Sequence, residues 1–104
     1  MSEKAYEIVE LAKRSGKIKK GTNEVTKALE RGKAKLVVVA EDVSPKEITM
    51  HLPLLAKEKG VPCIAVPSKV ELGVAAGMPI AAVAVAVTEE GEAKAQLKAL
   101  SKGE

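Results

Sequence analysis

Between Lys17 and Gly32 the chain reads KIKKGTNEVTKALERG, and here residue types and spacing point to chemistry. Lys17, Lys19 and Lys20 crowd the approach to a Gly21-Thr22 turn, and the spacing predicts a helix from Asn23 to Arg31. At 3.6 residues per turn, Asn23, Lys27 and Arg31 form one row flanked by Glu24 and Glu30, with Val25, Ala28 and Leu29 on the opposite side. One face therefore packs against a core while the other carries an amide, a carboxylate and two cations. The helix N-terminus adds unpaired N–H groups and a partial positive charge, a seat for phosphate. Asn23 and Glu24 stand beside that seat, placed to read base edges, which suits an RNA-recognition helix. The plainer reading of Glu24 is an ion pair with Lys27.

Charge supports a polyanion contact. Lys13 to Lys35 holds nine basic residues against Glu24 and Glu30, a surplus of seven, so a chain of net charge +3 carries −4 elsewhere. A basic patch on an acidic body fits a local partner better than general adhesion, the bland alternative being a solvated basic surface. Tyr6 is the only aromatic residue, which excludes base-stacking platforms. Any base held here is held by hydrogen bonds and aliphatic contacts. Two further stretches are candidates for the same surface: the strand-to-helix turn at Ser68-Lys69, and the apolar turn Ala76-Gly77-Met78-Pro79-Ile80. Met78, Pro79 and Ile80 could form an aliphatic lid over an extruded base, or lie tucked under a helix as core.

Other chemistry is poorly provided for. His51 has no His or Cys neighbours and reads as a helix-cap or core histidine, and the single Cys63 excludes an intrachain disulfide and a cysteine zinc site. Glu41 and Asp42 follow a strand, where α/β enzymes place carboxylates. They lack a nucleophile or second base, and a loop pair satisfying backbone or lysine groups is the better reading. No GxGxxG or GxxxxGK[ST] pattern supports a nucleotide, so no cofactor, metal or catalytic residue is expected. No signal peptide is evident and the longest apolar run, Ile80 to Val87, is too short for a bilayer, which leads to the expectation of a cytoplasmic protein with no membrane contact.

The elements that must position these residues follow in order. A chain of 104 residues, 46% hydrophobic and 30% charged, is expected to be one domain over 1–104. A first helix runs from a Ser2 cap to Gly16, and Lys17 to Lys20 adds an edge strand. Lys35 to Ala40 and Val61 to Val66 read as buried strands. Ser44-Pro45-Lys46-Glu47 and Ser68-Lys69-Val70-Glu71 are capping boxes opening helices. Pro53 is expected to break the first of these helices in two before Gly60. The second ends near Gly73 or Gly77. Ile80 to Val87 forms a strand with a valine face and an alanine face that admits a close helix, and Glu89 to Leu100 is a last helix with Ala93, Leu97 and Leu100 inward. This alternation implies an α/β/α sandwich, a mixed sheet of about four strands covered on both faces.

KKGTNEVTKALERG at Lys19 to Gly32, LVVVAEDVSP at Leu36 to Pro45, HLPLL at His51 to Leu55 and VPSKVELGVAAG at Val66 to Gly77 resemble the archaeal ribosomal protein L7Ae family. The resemblance runs from about Ala5 to Leu100, and the GTNE-xx-K stretch is its most specific part. It implies a non-enzymatic protein that binds kink-turn RNA, a bulge flanked by tandem sheared G·A pairs. Such RNA belongs to the large ribosomal subunit, to box C/D and H/ACA guide ribonucleoproteins and to RNase P, with other core proteins joining after the RNA. By that resemblance Lys20, Gly21, Thr22, Asn23, Glu24, Lys27, Arg31, Lys69, Met78, Pro79 and Ile80 form the RNA site. Asn23, Glu24 and Lys27 would meet the G·A bases, Lys20, Arg31 and Lys69 the phosphates, and Met78 to Ile80 the flipped-out nucleotide. Sheared pairing leaves guanine donors exposed for a carboxylate, and an amide donates and accepts at once. Ser44 stands where relatives tend to have an acid, and Cys63 where they have an aromatic. The rivals are a protein-interaction module using the apolar turn and a small enzyme using Glu41 and Asp42.

Overall fold

The computed structural model describes residues 2–43 and 50–102. The capping box at 44–47 lies outside them. Four strands form one sheet in the order β1-β4-β2-β3: β1 Lys17–Lys20, β2 Leu36–Ala40, β3 Cys63–Val66 and β4 Ala84–Glu89. β4 pairs antiparallel with both β1 and β2, and β2 pairs parallel with β3. The carboxyl ends of β1, β2 and β3 therefore share one rim of the sheet with the amino end of β4.

Five α-helices cover the sheet: α1 Ser2–Ser15, α2 Thr22–Glu30, α3 His51–Glu58, α4 Lys69–Ala75 and α5 Lys94–Lys102, the last preceded by a 3₁₀ turn at Gly91–Ala93. On one face Ile8 and Val9 of α1, Leu72 of α4 and Leu97 of α5 meet Leu36, Val38, Val66, Val85 and Val87. On the other Val25, Ala28 and Leu29 of α2 and Leu52 and Ala56 of α3 meet Val37, Val39, Ala84 and Ala86. Each fully buried Val or Leu contributes about 1.5–3 kcal/mol. The alternation Ala84-Val85-Ala86-Val87 divides the strand as its period of two requires, with small side chains under α2. This is the expected three-layer α/β/α sandwich with a mixed four-stranded sheet.

Three boundaries differ from the sequence reading. Helix α3 is continuous through Pro53, which is its third residue; in a first turn the missing N–H has no intrahelical partner to lose. The last strand begins at Ala84, because residues 80–82 lie against α4. There the Ala82 N–H donates to the Lys69 carbonyl over 3.0 Å. The Val83 carbonyl already accepts the Ala40 N–H of β2 over 2.9 Å. That strand continues to Glu89, so the last helix starts later than expected, after the 3₁₀ turn. Gly73 sits inside α4, where an added Cβ would collide with the Ile80 carbonyl oxygen at 2.2 Å. Only glycine permits this close approach. Among the described residues, no helix is long and apolar enough to cross a membrane.

Candidate nucleic-acid interface

The rim at the carboxyl end of β1 gathers the candidate residues. Leaving β1, the chain turns through Gly21 at φ 94° and ψ 153°, a region closed to other residues by clash of a Cβ with its own backbone. The Gly21 N–H donates to the Ala84 carbonyl over 2.9 Å, and the Gly21 carbonyl accepts the Val25 N–H at 2.9 Å, so one residue closes the sheet and opens α2. Nothing lies within 4 Å of where its Cβ would be. Because the cap residue is a glycine, no side chain covers the first turn of α2, formed by Thr22, Asn23 and Glu24. The helix thus starts one residue before the expected Asn23 and ends at Glu30, with Arg31 as its C-cap.

Asn23, Glu24, Lys27 and Arg31 are all exposed, while Val25, Ala28 and Leu29 are buried, as the helical period requires. Glu24 Oε1 lies 3.9 Å from Lys27 Nζ, with both side chains about half exposed. At that length and exposure the pair contributes at most a few tenths of a kcal/mol and leaves both groups free to change partners. Lys20, Arg31 and Lys69 have no carboxylate within 4.0 Å among the described residues. Thr22 Oγ1 is buried with no hydrogen-bond partner among them.

Helix α4 begins on the same rim but is built in the opposite way. Ser68 Oγ accepts the Glu71 N–H at 3.2 Å, and Asp42 Oδ1 accepts the Lys69 N–H at 2.9 Å. Two N–H groups of its first turn are thus held by side chains, whereas no side chain caps α2. Lys69 contributes its half-buried side chain instead. Asp42 is thereby a helix cap, which removes half of the carboxylate pair that an enzyme reading needs. On the return from α4 to β4, Met78 is packed partly into the core, whereas Ile80 is 68% exposed and Pro79 is exposed too. The turn is therefore not simply tucked core.

A sequence profile of the ribosomal protein L7Ae/L30e/S12e/Gadd45 family matches residues 3–97. The chain belongs to this family. A solved structure, a Giardia lamblia 15.5 kD RNA-binding protein, superposes with a TM-score of 0.85. It is 31% identical and is matched over 99% of this chain and 88% of its own. Membership of the family places the chain among non-enzymatic, RNA-binding proteins.

Topology therefore brings Lys20 to Glu24 and Lys69 to one rim, with Lys27 and Arg31 one and two turns further along α2; Met78 to Ile80 lie on the return from α4 to β4, Ile80 against Gly73 about one turn along α4 from Lys69. At 1.5 Å per residue, Arg31 stands about 12 Å beyond Asn23. Three supporting residues, Tyr6, Thr26 and His51, had been given other readings or none, whereas Asp42 meets the expectation of a loop carboxylate that satisfies a backbone group. Asp42 caps α4. The Tyr6 hydroxyl donates to the Ser68 carbonyl and accepts the Ser68 N–H, both at 3.3 Å, tying α1 to the same turn; burial raises its pKa. His51 is neither cap nor core but exposed, its Nε2 3.0 Å from Thr26 Oγ1. Because that hydroxyl also donates to the Thr22 carbonyl over 2.8 Å, its one proton is committed and His51 Nε2 must carry the hydrogen. The contact braces α2 against α3. The lone aromatic and the lone histidine were the available signals, though neither reveals its partner from sequence.

Proposed function

We propose that the protein binds kink-turn RNA and holds it in the kinked conformer. The observation that carries this reading is the uncovered amino end of α2, with Asn23 and Glu24 exposed beside an open Gly21. Phosphate binding alone does not explain Glu24, since a carboxylate repels the backbone. Guanine edges laid open by sheared G·A pairing do, because they present N–H donors to it. Lys20, Arg31 and Lys69 neutralise neighbouring phosphates. Exposed Ile80 and Pro79, with Met78 behind them, supply the aliphatic cover for an extruded base that a chain with one aromatic residue requires. RNA samples straight and kinked shapes, and a surface complementary only to the kink shifts the population towards it. The named RNA-binding activity of the Giardia lamblia protein supports the reading. We extend it to a place in the large ribosomal subunit and in box C/D, H/ACA and RNase P ribonucleoproteins.

The test is a titration against a kink-turn duplex and against the same duplex with its G·A pairs made Watson–Crick. Tighter binding to the first is expected, since base contacts contribute about 1–3 kcal/mol each. Equal affinities would refute the proposal.

A further inference from the structure

At the far end of β1 and α2 from Gly21, Lys17, Lys19, Lys33 and Lys35 surround a cleft of about 480 Å³ together with Gly32 and Glu89. Lys17 Nζ is 3.4 Å from Glu89, and Lys35 Nζ is 3.5 Å from Glu90. Lys19 and Lys33 have no carboxylate within 4.0 Å among the described residues, and both are exposed. The four cations thus exceed their acidic neighbours, in a concavity that the RNA site described above does not use. Ile18 turns into the α1 side of the core, so Lys19, the next residue on the strand, points to the α2 side, where Gly32 and Lys33 follow the helix. Gly32, with open space around its Cβ position, leaves the cleft floor accessible.

We propose that this cleft binds the phosphate backbone of an RNA arm that continues beyond the kink. The inference rests on the RNA-binding reading of α2. The row Asn23, Lys27, Arg31 leads directly to Gly32 and Lys33, so one basic track joins the two ends. The nine residues of α2 set its length at about 14 Å, with the turn at Gly32 and Lys33 beyond. A duplex carries a charge roughly every 1.7 Å of its axis, so several phosphates span that distance. The lining holds no aromatic group, and four of its seven residues are lysines beside Gly32, Thr88 and Glu89; spaced cations recognise a repeated anion. The competing role for lysines on an edge strand is to block pairing with another chain.

Two RNAs separate these roles: a kinked RNA trimmed to the pairs around its G·A tandem, and the same RNA with long helical arms. Lys19→Gln combined with Lys33→Gln should leave affinity for the trimmed RNA unchanged. Binding of the long-armed RNA should weaken roughly fivefold per lysine at 0.15 M salt, with the slope of log K against log salt lower by about two. Glu89→Gln, which frees Lys17, should act in the opposite direction and strengthen long-armed binding, an outcome that misfolding would not produce. Unchanged affinity for the long-armed RNA would mean that the lysines guard the edge. Equal loss on both RNAs would mean a diffuse field, and loss of polyglutamate binding alone would point to an acidic protein partner; each of these overturns the proposal. Should the unaltered protein fail to distinguish kinked from Watson–Crick RNA while the lysine variants still lose long-armed binding, the kink reading falls and the cleft stands.

Discussion

Ile80→Ser discriminates between a lid over an extruded base and a core anchor. Ile80 is 68% exposed, so about a third of its side chain is buried. A fully buried isoleucine contributes about 1.5–3 kcal/mol, so its partial burial accounts for roughly 0.5–1 kcal/mol of stability. At about 4–8 °C per kcal/mol for a domain of this size, Tm should fall by only a few degrees. The backbone here, which is what packs on Gly73, is unaffected. Covering a base face should contribute on the order of 1–2 kcal/mol by area. Loss of that cover corresponds to about 5–30-fold weaker binding. Serine removes the apolar cover without adding charge, whereas Ile80→Lys adds a cation whose attraction to phosphate partly masks the loss and steepens the salt slope by about one. The assay is thermal melting and RNA titration on the same preparation, at two salt concentrations. A folded Ile80→Ser protein with unchanged affinity would remove the turn from the interface. A Tm fall of more than about 15 °C would show that Ile80 anchors the core, contrary to its exposure.

Asn23→Ala should weaken kinked-RNA binding by about 1–3 kcal/mol with Tm unchanged, because the side chain is exposed. Its effect should add to that of Ile80→Ser if the two touch separate parts of the RNA. Gly21→Ala should cost about 1–3 kcal/mol of stability through its positive φ alone, since its Cβ meets nothing. It should also weaken binding, whereas Gly60→Ala, at φ 69° and remote from the rim, should lower Tm without altering affinity. Burial raises the Cys63 thiol to about 11 from an ordinary 9.0. The folded protein therefore holds its proton where the unfolded chain loses it. The associated stability is present below pH 9 and lost as pH rises through 9 to 11. Alkylation at pH 8 should be slow until denaturant is added; rapid labelling of the folded protein would contradict this.

Much of the fold was legible because it rests on local periodicity. The apolar strand Leu36–Ala40, the Ala/Val alternation of β4, the row Asn23-Lys27-Arg31 and the Ser68 cap each depend on residues within two or three turns of one another. The layered architecture follows, since strands apolar on both sides demand helices on both sides. What depends on contacts distant in sequence was not legible. Pro53 looked like a helix breaker because its position relative to the start of α3 was unknown. Residues 80–82 looked like strand by composition, but α4 draws them away through the Ala82–Lys69 hydrogen bond and the space that Gly73 leaves. The sequence alone established which residue types are available for RNA: one amide, one carboxylate, several cations and an aliphatic turn, with no aromatic platform. Only the tertiary structure decided which of them share a rim, because the relative direction of the strands sets that. β1, β2 and β3 run in one direction, which brings Gly21, Asp42 and Lys69, separated by up to 48 residues, to the same end of the sheet, with Ile80 packed on Gly73 a turn along α4. The structure likewise decided that Ile80 faces solvent and that Asp42 is engaged as a cap, since exposure and hydrogen bonding are properties of neighbours rather than of residue type.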